Sequence, residues 1–129
     1  MSMSVTLAKF KTSGNKLLAD YSEIGSEVLL TEFLDHLISE FATNDLIVFE
    51  EEDEIIYRQF HKSTMPEITN TLERESFKLF SAARKAKGNE KIQEILNHIE
   101  DISRLNTLIT RYYLNSSIYI NETFKLLIA

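Results

Sequence analysis

Asn44–His61, NDLIVFEEEDEIIYRQFH, is the stretch on which the fold turns. Leu46–Phe49 and Ile55–Tyr57 are β-branched or aromatic clusters on either side of five carboxylates, Glu50-Glu51-Glu52-Asp53-Glu54. Read with a period of two, the stretch makes strands at 46–50 and 54–60 joined by an acidic turn. Read with the helical period, Leu46, Phe49, Ile56 and Phe60 share one face and the acids lie mostly opposite, with Asn44 or Asp45 as cap. The turn has neither the Gly nor the Asn that tight hairpins favour, and two strands alone are marginal in water. The local pattern therefore favours a helix, with a β-hairpin at 46–60 as the alternative.

Beyond it the helical signal is stronger. Ser63 and Thr64 mark a start, and Pro66 sits just inside it, where a missing N–H costs nothing. Ile68, Leu72, Leu79, Ala83 and Ala86 form an apolar stripe, and Gly88-Asn89 supplies the stop. A second stripe follows at Ile92, Ile95, Ile99, Ile102, Ile109 and Tyr113, stepping by three and four with Asn106 as its one polar member. This is the seam of a coiled-coil-like helix. The short turn forces the two arms, 64–87 and 90–115, to lie antiparallel. Asn115-Ser116-Ser117 reads as a break, yet Ile120, Phe124 and Leu127 continue the spacing, so the last helix is one rod or two pieces. One hairpin cannot bury both stripes. It needs other helices of the chain, a second copy or a partner.

Toward the N-terminus, Ser26 is a plausible cap for a core helix whose broad face holds Leu30, Phe33, Leu34, Leu37, Ile38 and Phe41. Lys16–Tyr21 fits a short helix. Residues 1–14 read as a frayed or short helical leader that docks through Phe10. The fold expected from all this is all-α, an antiparallel helical bundle of four or five helices built on the long hairpin, with 1–129 as a single domain. Three glycines and one proline among 129 residues support few, long elements over an all-β sandwich.

Composition narrows the function. Hydrophobic residues make up 43% of the chain, enough for a real core. There is no cysteine, which excludes disulfides, thiolate metal sites and cysteine nucleophiles. The 14 Lys and Arg against 20 Asp and Glu leave a net charge of −6, with the basic residues scattered, so nucleic acid is not the expected partner. No uninterrupted apolar run exceeds four residues, so no membrane span is expected. Met1–Ser13 lacks the apolar core of a signal peptide, and cytoplasmic residence follows by default.

Catalytic apparatus is not visible. Bundle metal sites use Glu-x-x-His pairs, but the residues three before His36, His61 and His98 are Phe33, Arg58 and Ile95. His36 with Glu40 and Glu94 with His98 stand one turn apart, and two ligands do not close a site. Thr12-Ser13-Gly14-Asn15-Lys16 has one glycine where a phosphate loop needs two. No cofactor or metal is expected, and the chain does not read as an enzyme.

Phe60-His61-Lys62-Ser63-Thr64-Met65-Pro66, followed by the long helical hairpin, resembles the dimerisation and phosphotransfer domain of sensor histidine kinases. There an exposed helical histidine precedes a proline at this distance. The resemblance, which covers residues 60–115 at most, implies His61 as phosphoacceptor of a phosphorelay protein. It departs at Lys62, where an acidic residue is expected, and at Met65, where a polar one is. The residues after 115 are too few for an ATP-binding domain.

The expected function is therefore contact. Glu50, Glu51, Glu52, Asp53 and Glu54 are the sharpest charge feature and suit a docking patch for a basic protein surface, though such a run is also an ordinary solvated face. Asn106, with Tyr112 and Tyr113 near it, suits the seam of a homodimer or partner contact, since a polar residue in a seam can fix register. The sequence reads as a small acidic protein-binding module, an adaptor, inhibitor or immunity-type protein, with histidine phosphotransfer through His61 as the alternative.

Overall fold

The computed structural model describes residues 4–14, 16–20, 27–50, 52–60, 62–118 and 124–128. The deciding stretch is a hairpin. Strands β4 (Ala42–Glu50) and β5 (Asp53–Phe60) pair antiparallel, with Leu46 opposite Tyr57, Ile47 opposite Ile56, Val48 opposite Ile55 and Glu50 opposite Asp53. The expected helix over 44–61 is thereby corrected. Val48 and Tyr57 are buried while Ile47 and Ile56 face outward, the alternation that a pleated strand imposes. Apolar residues on both faces hid that period in the sequence.

The fold is consequently mixed α/β, not an all-α helical bundle. Among the described residues six strands take part. β1 (Ser4–Ser13), β2 (Lys16–Asp20), β3 (Glu27–Leu29) and β6 (Phe124–Ile128) join the hairpin in one sheet, in the order β2-β4-β5-β6-β1-β3. Segments read as a leader, as a short helix and as the continuation of the last helix are thus strands. The chain pairs them across long separations: Leu18 of β2 lies parallel to Phe49 of β4, and Val5 of β1 opposes Ile128 of β6. A hairpin that is marginal alone is stable once both of its edges are occupied. β1 also pairs with β2, from Lys9–Asp20 to Ser13–Lys16, so β1, β2, β4, β5 and β6 form a closed circuit. Closure shortens the exposed strand edge that an open sheet would carry.

Helix α1 (Glu32–Ile38) starts later than expected, because Glu27–Leu29 is a strand. Its cap is Thr31, whose Oγ1 accepts the Leu34 N–H at 3.2 Å. The apolar face survives the correction: Leu30, Leu34 and Ile38 are buried, and Phe33, Leu37 and Phe41 pack against them.

The helical hairpin is as the sequence predicts. Helix α2 (Met65–Lys85) has Pro66 in its first turn, and α3 (Asn89–Ile118) runs unbroken through Asn115-Ser116-Ser117. Gly88 between them holds φ at +95°, a conformation that L side chains avoid. Met65, Ile68 and Leu72 of α2 and Ile102, Leu105, Leu108 and Ile109 of α3 join Val5, Phe60 and the α1 face in one core. The first two turns of α2 and the second half of α3 are therefore rooted on the sheet. Between Leu72 and Ile102 only Ile95 is buried, so the remaining thirteen residues of α2, about 20 Å of helix, form an arm along α3 that touches the core through Leu79. Among the described residues no helix is long and apolar enough to cross a membrane.

Candidate functional site

The arm carries apolar surface that the core does not use. Its inward stripe, Leu79, Ala83 and Ala86, is half-buried against α3. A second stripe, Glu73, Phe77, Phe80 and Arg84, follows the same four-three-four spacing on a different face, and all four residues are exposed. Phe77 is 82% and Phe80 46% exposed. Beside them runs a groove of about 440 Å³, lined by Glu73, Ser76, Phe77 and Phe80 from α2 and by Ile99, the core residue Ile102, Ser103 and Asn106 from α3. Exposed single hydrophobics are ordinary, but two phenylalanines one turn apart beside a groove make a contiguous exposed apolar patch.

Asn106, singled out in the sequence as the polar member of a seam, is half-buried on the rim of this groove. The side chains of Tyr112 and Tyr113 lie outside the described residues, although their backbone continues α3. Phe77 and Phe80 were missed by sequence reasoning. Their signal was present: both fall off the Ile68-Leu72-Leu79-Ala83 stripe and have no inward partner to face.

The acidic run occupies the end of the β4–β5 hairpin instead of a helical face. Glu54 lies opposite Phe49, Asp53 opposite Glu50, and Glu52 sits in the turn. Glu52, Asp53 and Glu54 are exposed, and none has an ion-pair partner among the described residues. Glu51 lies outside the described residues, as does the side chain of Glu50. On β4, the Phe49 ring opposite Glu54 carries the Lys16 ammonium 5.3 Å over its centroid.

A third feature joins two histidines that the sequence keeps far apart. His36 of α1 and His98 of α3 line an open cleft of about 540 Å³ with Glu32, Phe33 and Asp101. The His98 ring stacks on Phe33 at 4.1 Å between centroids and 5° between planes. Asp101 is already engaged, accepting from Arg104 at 3.0 Å. The one-turn pairs weighed in the sequence do not become sites, since Glu94 pairs instead with Lys91 at 4.0 Å. Among the described residues no group of three or more His, Asp or Glu could hold a metal ion. His61 lies outside the described residues. Around it, Phe60 ends a strand, Lys62–Thr64 is a 3-10 turn and the α-helix opens only at Met65.

Compared with family models, with curated proteins and with solved structures, the chain matches none.

Proposed function

We propose that this chain is a small acidic protein-binding module, an adaptor, inhibitor or immunity-type protein that acts by occupying a partner's surface and that also self-associates. The observation that carries the reading is the α2–α3 arm. It extends past the fully buried core residues, buries only Ile95 between Leu72 and Ile102, and presents Phe77 and Phe80 beside an open groove. Side chains so placed would favour contact with another macromolecule over folding.

A second surface in the proposal is the acidic hairpin end. Glu52, Asp53 and Glu54 set three exposed carboxylates side by side at the hairpin end, and like charges so close together oppose the hairpin, so fold stability does not account for them. A cationic protein surface would, and it would be found quickly because dense charge steers encounter. A basic protein partner, a cytoplasmic location and action without substrate turnover belong to the same proposal.

Affinity capture with differential labelling tests the second surface. A partner held by the native chain should be lost when Glu52→Lys, Asp53→Lys and Glu54→Lys are combined. Its capture should also weaken steeply between about 0.1 M and about 0.5 M salt, as screening shortens the reach of the charges. Capture that is indifferent to both changes would remove the acidic end from the proposal.

A further inference from the structure

Within the reading that this chain works by contact and self-associates, the geometry assigns the occupant of the arm groove: we infer that it is the α2 stripe of a second copy, packed antiparallel about a two-fold axis through Phe77 and Phe80. The stripe is its own complement. Glu73, Phe77, Phe80 and Arg84 stand at steps of four, three and four, with the two aromatics in the middle and opposite charges at the ends. Turned end for end on a copy of itself, the stripe sets Phe77 against the second Phe80 and Glu73 against the second Arg84. Both contacts then occur twice, as an isologous interface requires.

Charge along the whole helix agrees. Before Phe77, Glu67, Glu73 and Glu75 outnumber Arg74; after it, Lys78, Arg84 and Lys85 stand with no acid. Antiparallel packing lays the acidic half of one α2 on the basic half of the other, whereas parallel packing would oppose like to like. Neither Glu73 nor Arg84 has an ion-pair partner among the described residues, so both are free to make the contact. The second copy's Phe77 then enters the groove beside Ile99, with Ser103 and Asn106 as its polar border. The twelve residues from Glu73 to Arg84 span about 16 Å of helix. An interface of that length falls below the roughly 800 Å² per partner of standard complexes, so the dimer is weak and dependent on concentration.

Sedimentation velocity on the purified full chain, from about 5 μM to about 500 μM, tests this in isolation from any other partner. The native chain should pass from monomer to dimer across that range. Phe77→Ser should keep it monomeric. Glu73→Arg and Arg84→Glu should each weaken association about tenfold, by opposing like charges twice, and the two together should restore it. Eleven residues separate the two positions on one helix, so rescue requires a second copy. Circular dichroism melts confirm that the exposed substitutions leave the fold intact. A native chain that stays monomeric to the top concentration, a dimer indifferent to these residues, or single variants that the double swap does not rescue would each overturn the inference. A monomer that still captures a basic partner through its acidic end would leave the proposed function standing and remove only the second copy.

Discussion

The two ends of the α2–α3 hairpin are built from similar residues and serve different purposes. At the root, Ile68, Leu72, Leu105, Leu108 and Ile109 are buried against α1 and the sheet. At the arm, Phe77, Phe80 and Leu96 lie exposed, and the inward residues other than Ile95 are only half-covered. Helical periodicity and apolar content are alike in the two halves, so neither property decides burial. What decides it is whether another element of the chain reaches that part of the helix.

The largest effect that would sharpen this contrast is at the root. Leu105→Ala should cost about 2–5 kcal/mol, because Leu105 is fully buried and its neighbours come from several elements that cannot all close on the cavity. Urea denaturation measures it, and a cost below about 1 kcal/mol would mean that the root is no better packed than the arm. A smaller effect belongs to the turn between the helices. Gly88→Ala should cost about 1–2 kcal/mol from its positive φ alone, since an added Cβ would meet nothing within 4 Å. If the arm opens separately from the root, hydrogen exchange will show that loss in residues 76–99 and not around Leu105. The smallest effect is on the exposed stripe, where Phe77→Ser should change monomer stability by no more than about 0.5 kcal/mol at low concentration. A larger loss would place Phe77 in the monomer's packing and erase the distinction between the two ends.

The helices were legible because their signals are local. Pro66, Gly88 and the three-four stripes lie within a few turns of the residues they organise, and Leu30, Leu34 and Ile38 announced a core face even though the helix bearing them is shorter than expected. The sheet was not legible. Val5 finds Ile128, and Leu18 finds Phe49, at separations no local window spans. The hairpin itself was misread because Leu46–Phe49 is apolar on both faces and its stabilising neighbours come from chain segments that resemble weak helices.

The candidate surfaces divide in the same way. The acidic run was visible as charge, but its place at a strand turn depended on the sheet. Asn106 stood out within its stripe, and it borders the groove; the phenylalanines opposite were passed over because the stripe that explains them has charged ends. The meeting of His36 with His98 rests on α1 packing across α3, which neither helix's own sequence reveals.

The circuit of strands has a consequence for biosynthesis. The last of its strands in chain order is β6, which fills the gap between β1 and β5 and emerges from the ribosome after the four others of the circuit. The two helices of the arm can form as soon as they emerge, each stabilised by neighbours in sequence. Until residues 124–128 arrive, β1 and β5 each keep an open edge that only β6 covers.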